Sequence, residues 1–225
     1  MVGDRAFKDA IYEQISRMGK AFANPHRLEL VDLLCQGPMT VEQLARKSNM
    51  SIGSASQHLQ HLRASRVVRV VPRGTTREYH LTDAKIGELF RTLRSMSERY
   101  YAEMSTITHA FFDAREPVEE LDTEALQRRL AENMVILVDV RPPEEYLAGH
   151  WPGALSFPVD DLEDHLAELP SDKPIVAYCR GPYCVLALQA ADILRQNGYR
   201  VSRLIDGVSD WQAVGLPIEV GHRVS

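Results

Sequence analysis

Two of the three cysteines in this 225-residue chain, Cys179 and Cys184, bracket Arg180-Gly181-Pro182-Tyr183 in the run IVAYCRGPYCVLALQAADIL. Cys179 ends an apolar, strand-like stretch, and an apolar helical stretch starts just past Cys184. Ligands of α/β folds bind at the C-terminal ends of the strands, so this thiol stands where chemistry is done. The N–H groups of a tight loop, with the helix start behind it, make a cradle for negative charge. A thiolate held there is stabilised, its pKa falls, and it is nucleophilic near neutral pH. Gly181 lets the loop curl, Pro182 stiffens it but removes one N–H, and Arg180 sets a cation beside the sulfur. The pattern suits attack on a small anionic sulfur donor such as thiosulfate or polysulfide, with a persulfide held on Cys179. Zinc would need more Cys or His at ligand spacing than Cys-x4-Cys offers, and no metal or cofactor is expected. Cys184 has two readings: a thiol that resolves the persulfide, or a position where serine or alanine would serve.

The elements around this loop alternate. LDTEALQRRLAE is helical, MVILVDVR a buried strand, ALSFPV a short strand and DLEDHLAEL a helix. PIVAYC is a strand, VLALQAADILRQNG a helix, YRVSRLID a strand and VSDWQAVG a short helix. Such alternation predicts a mostly parallel sheet covered on both faces.

The first half differs. Helices are predicted over 5–22, after Asn24-Pro25, from Thr40 with Glu42 and Gln43 near the capping-box position, and from Ser51. VVRVVPRGTTREYHL reads as a hairpin with glycine at its tip, and a long helix is expected from about Asp83 to Ala114. Glu116-Pro117 marks a linker, giving domains 1–115 and 116–225. Charge follows the same division: 17 Lys/Arg against 12 Asp/Glu in the first part, and 9 against 19 in the second. Only the first suits a polyanion.

Helix, turn, helix, hairpin is the order of a winged helix-turn-helix. From Gln43 to Arg77 there is no acid, while Arg46, Lys47, Arg63, Arg66, Arg69, Arg73 and Arg77 are basic. Phosphate contacts need bases free of competing carboxylates. Ser51, Ser54, Ser56, Gln57, His58, Gln60 and His61 offer groups that base edges and phosphates accept. Leu59 and Leu62 are expected to face the core. Arg73 and Arg77 flank the hairpin tip, placed for a neighbouring groove.

NPHRLELVDLLCQGPMTVEQLA, SASQHLQHLRASRVV and RGTTREYHLT resemble the ArsR/SmtB family of dimeric repressors. The resemblance implies a homodimer formed through the first and last helices, reading a pseudo-palindromic operator on double-stranded DNA. The family's metal-sensing cysteines are absent from MTVEQLA. The last helix offers His109 and Asp113 without the upstream Asp-x-His, so no metal site is expected. Cys35 reads as a small buried hydrophobe. Likewise VILVDVRPPEEYLAGHWPGALSFPV and LIDGVSDWQAVGLPIE, with YCRGPYC, resemble the rhodanese family. That resemblance makes Cys179 the persulfide-forming residue and Arg180, Gly181, Pro182, Tyr183, Cys184 and Val185 its active-site loop. Asp139 and Arg141 support the pocket, and with Glu145 and His150 are expected to hold the loop rather than to act in catalysis. Trp151, in place of the usual aliphatic, is expected to narrow the donor's approach; Asp206 replaces a glycine. The six-position loop fits sulfur transfer, whereas phosphate and arsenate chemistry uses a longer loop ending in arginine.

Together these make a DNA-binding regulator whose second domain senses or transfers sulfane sulfur. The alternative is a sulfurtransferase whose DNA-binding domain gives dimerisation or localisation. With no apolar run fit for a leader or for a membrane span of about 20 residues, a cytoplasmic protein is expected.

Overall fold

A computed structural model of the chain describes residues 4–113 and 115–221, without the side chain of Asp113. The chain forms two compact units that divide between Arg94 and Ser95.

The first unit comprises α1 (Asp4–Phe22), α2 (Pro25–Cys35), β1 (Met39–Thr40), α3 (Val41–Lys47), α4 (Ile52–Ala64), β2 (Val68–Arg73), β3 (Thr76–Leu81) and most of α5 (Ala84–Tyr100). Its helix starts are fixed locally. Asn24 Oδ1 accepts from the Arg27 N–H, and Thr40 and Gln43 bond each other's backbone reciprocally. Ser51 Oγ accepts from the Ser54 N–H at 3.1 Å. Each such cap is worth about 1 kcal/mol. Leu30, Leu34, Leu44, Leu59 and Leu62 meet in one buried core, so α3 and α4 pack as a helix-turn-helix. β2 and β3 pair antiparallel with Arg73 opposite Thr76. Gly74, at φ +58°, turns the tip, and this hairpin is the wing. β1 adds a third strand beside β3, an element too short to leave a periodic signal.

The second unit holds the end of α5, α6 (Ala102–Asp113), β4 (Glu119–Leu121), α7 (Thr123–Ala131), β5 (Ile136–Asp139), α8 (Pro143–Ala148), β6 (Leu155–Ser156), β7 (Ile175–Tyr178), α9 (Leu186–Gln196), β8 (Val201–Leu204) and α10 (Val208–Ala213). Five strands form one parallel sheet in the order β4-β8-β7-β5-β6. Central β7 is buried throughout, as a strand covered on both faces must be. Ile175 and Ala177 join one apolar cluster and Val176 and Tyr178 the other, the period of two that separates sheet faces.

Three expectations need correction. The long helix from Asp83 is two, interrupted at Tyr101, and its expected end at Ala114 lies outside the described residues. No proline or glycine marks the break; α6 instead follows tertiary contacts, with the Arg203 guanidinium 4.4 Å from the Phe112 ring centre. DLEDHLAEL forms two short 3₁₀ helices, Val159–Asp161 and Glu163–Glu168. Prolines 158 and 170 bound the segment, and the Tyr199 hydroxyl donates to the Leu166 carbonyl. Finally, the stretch after Glu116-Pro117 is not all linker, because residues 119–121 form the edge strand β4.

Candidate functional site

β7 delivers Cys179 one residue past its C-terminal end, on the face shared by Ile175 and Ala177. The side chain is buried, and its S–H donates to the Cys184 carbonyl at 3.4 Å. Between them the chain doubles back. The Cys184 N–H donates to the Gly181 carbonyl at 3.1 Å, and Gly181 sits at φ +141°, a region L side chains rarely adopt. A second glycine holds the loop from outside. A Cβ on Gly207, at the start of α10, would come within 2.2 Å of the Arg180 carbonyl oxygen. Sequence reasoning missed this residue, although it stands next to Asp206 in the second rhodanese-like motif.

Arg180, beside the two sulfurs, is held by Glu145. Its Nε and Nη2 donate to the two Glu145 oxygens at 2.9 and 2.8 Å, and Glu145 is 1% exposed. Burial opposes the charge on Arg180, but the hydrogen bonds and charge of Glu145 outweigh it and raise the pKa. Glu145 is therefore the anchor of the loop. Beneath it, Arg141 donates from its backbone N–H and Nε to Asp139 Oδ1, both at 3.0 Å. Its Nη2 reaches Asp139 Oδ2 at 2.6 Å and the Gly149 carbonyl at 2.7 Å. Both side chains are fully buried. His150 lies 2.8 Å from the Tyr146 carbonyl through Nδ1 and stacks on the Tyr146 ring. Of these four residues, Glu145 is the one that bonds the loop directly, through Arg180.

The thiols differ from expectation. Peptide N–H groups of Gly181 and Ala187 do bond the Cys179 sulfur, yet burial outweighs them and pushes its pKa well above the usual value. Cys184 goes the other way, down to about 6, chiefly through its hydrogen bond with Cys179; burial opposes this and the Arg180 charge assists. The donors of the cradle are shared between two sulfurs, and the more exposed sulfur holds the negative charge more readily.

Tyr183, at the loop crest, is half exposed and donates its hydroxyl to Glu98 Oε1 at 2.7 Å, in the last turn of α5. This contact spans 85 positions and left no local signal. Pro182 and Tyr183 also wall a cavity of about 620 Å³ whose other sides include Glu98, His109, Phe112 and Arg203. Val185 precedes α9 and is exposed. Trp151 does not narrow the loop mouth: it is buried, stacked 4.1 Å from Trp211. Asp206 accepts from the N–H and hydroxyl of Thr123 at the start of α7, which accounts for an acid in place of the usual glycine.

In the first unit, Ser51 is consumed as a cap and the Ser54 hydroxyl faces Met50 Sδ at 3.9 Å. Ser56 is half-buried, while Gln57, Gln60, His61 and Arg63 are exposed along α4. His58 turns inward, its ring 5.3 Å from that of His26, and its pKa is lowered by burial, then by His26, Arg27 and His61. Arg77 is exposed, as is Arg73, which pairs with Glu78 at 3.2 Å. Cys35 packs at the core edge against Gly87 of α5, where a Cβ would lie 3.2 Å from its sulfur.

Comparison with known proteins agrees with this division. Residues 24–70 match the model of the bacterial regulatory protein arsR family, and 122–214 match the rhodanese-like domain. The whole chain is similar to HTH-type transcriptional regulator Rv0324 of Mycobacterium tuberculosis, 41% identical over 100% of this chain and 98% of that protein. The second half is similar to a sulfurtransferase of Allochromatium vinosum, 41% identical over 45% of this chain and 94% of that one. Among solved structures, the homodimeric winged helix-turn-helix domain of Mb0332 from Mycobacterium bovis matches at 33% identity. It covers 45% of this chain and 94% of its own, with a TM-score of 0.42.

Proposed function

The chain belongs to the ArsR family of transcription regulators and carries a rhodanese-like domain after its helix-turn-helix, and from that premise we propose that it is a sulfane-sulfur-responsive regulator. A homodimer binds a pseudo-palindromic operator with α4 in the major groove. Gln57, Gln60, His61 and Arg63 are its outward groups, and Arg73 and Arg77 of the wing lie at the neighbouring groove. Exposed apolar side chains on α1 (Phe7, Ile11, Ile15) and α5 (Leu89, Leu93, Met96) support dimerisation through those helices. Cys179 takes one sulfur from thiosulfate or polysulfide and holds it as a persulfide. The observation that carries the reading is a thiol at the end of β7 enclosed by a loop that Glu145 and Gly207 hold in place.

At the loop itself, the Tyr183 hydroxyl bonds Glu98 in the last turn of α5. A loop that changes on sulfur loading shifts that bond, and a coupling of about 1–3 kcal/mol would change operator affinity about 5- to 150-fold. The test is an operator-binding titration at fixed salt, with and without polysulfide, on the wild type and Cys179→Ser. The expected result is a shift in the wild type alone; equal affinities in all four arms reject the sensor. The relationship of the second half to a sulfurtransferase favours a second reading, turnover of thiosulfate without a transcriptional effect. It predicts transfer activity that Cys179→Ser abolishes while operator affinity stays unmoved.

A further inference from the structure

We propose that Cys184 is the resolving thiol of the loop, displacing hydrosulfide from a persulfide on Cys179 to close a Cys179–Cys184 disulfide. This deepens the proposed function and rests on sulfur reaching Cys179.

The geometry points to it. The turn closed by the Cys184 N–H on the Gly181 carbonyl brings residue 184 back over residue 179. The Cys179 sulfur already touches the Cys184 carbonyl at 3.4 Å. Both are free thiols in this structure. Exposure differs in the useful sense, with Cys179 at 2% and Cys184 half-buried, so the sulfur that must attack is the one nearer the surface. The reactive form of a thiol is the thiolate, and Cys184 ionises first of the two.

The step balances without an external oxidant. The Cys184 thiolate attacks the inner sulfur of Cys179–S–SH, a new S–S bond forms to Cys184, and the old S–S bond breaks. Its electron pair leaves on the terminal sulfur, which departs with its proton as HS⁻. The sulfane sulfur is reduced and the two cysteine thiols are oxidised to the disulfide. A thiol reductant restores the loop by exchange. The lasting mark of sulfur exposure on the wild-type protein is then a disulfide, and Tyr183, adjacent to Cys184, lies inside the ring it closes.

The full chain, reduced and treated with one sulfane equivalent of inorganic polysulfide, is quenched by alkylation and its loop peptide weighed. Wild type is expected to lose two hydrogens. Cys184→Ser and Cys184→Ala are expected to keep one added sulfur, at least about tenfold longer than wild type does. Cys179→Ser is expected to form no disulfide and to load sulfur on Cys184 more slowly than wild type loads. If wild type keeps its added sulfur as long as the Cys184 variants do, resolution is overturned while loading stands. If Cys179→Ser accumulates sulfur on Cys184 as readily as wild type loads, the order of the two thiols is overturned. No sulfur in the loop of any protein overturns this inference and the proposed function together.

Discussion

Asp139→Ala tests whether the framework beneath the loop is structural. Asp139 and Arg141 are both fully buried. The carboxylate accepts from the Arg141 backbone at 3.0 Å, from Nε at 3.0 Å and from Nη2 at 2.6 Å. Without it, the guanidinium keeps the Gly149 carbonyl but loses its main counter-charge in a site closed to water. Leaving one member of a buried pair uncompensated costs about 3–5 kcal/mol. For a unit of about 130 residues, that corresponds to a fall in Tm of roughly 10–20 °C. The readout is specific, because the only two tryptophans, Trp151 and Trp211, stack at 4.1 Å within this unit. Their fluorescence therefore follows its unfolding alone. A urea titration of the variant should show the midpoint moved down with little change in slope. The double variant Asp139→Leu/Arg141→Met should recover most of the loss, since an apolar pair of similar volume needs no counter-charge. A loss below about 1 kcal/mol in Asp139→Ala, the range of exposed ion pairs, would refute the view that this pair holds the framework.

Other outcomes follow from the same geometry. Arg77→Ala should weaken operator binding about equally across sequences and reduce the slope of log K against log salt by about 1, read by titration at several salt concentrations. Alkylation of the reduced protein should mark Cys184 before Cys179. The Cys184 rate should rise with pH through about 6, because the thiolate forms as the proton leaves, while Cys179 stays protonated and slow. Peptide mapping after brief labelling checks it, and equal labelling of both thiols would contradict the division of charge. Glu98→Ala removes the acceptor of the Tyr183 hydroxyl; the ratio of operator affinities with and without polysulfide should shrink toward one while sulfur uptake by Cys179 stays at the wild-type rate.

Much of this protein was set by its sequence read locally. The caps at Asn24, Thr40 and Ser51, the glycine tip of the wing and the alternation of strand and helix after residue 120 act over a few residues, so propensity and hydrogen-bonding chemistry fix them wherever the segment lies. The acid-free stretch from Gln43 to Arg77 and the position of Cys179 after an apolar strand are legible for the same reason. What the tertiary structure decided are contacts between residues far apart in the chain. Proline-bounded residues 159–168 became 3₁₀ turns, and the helix from Asp83 broke at Tyr101, where no local breaker stands. Arg180 paired with Glu145, 35 positions earlier, and Tyr183 reached Glu98. Burial pushes the Cys179 pKa up while its neighbours pull that of Cys184 down, because the energy of an ionised group depends on how deeply it is buried and which donors surround it. That surrounding exists only once the whole sheet has formed.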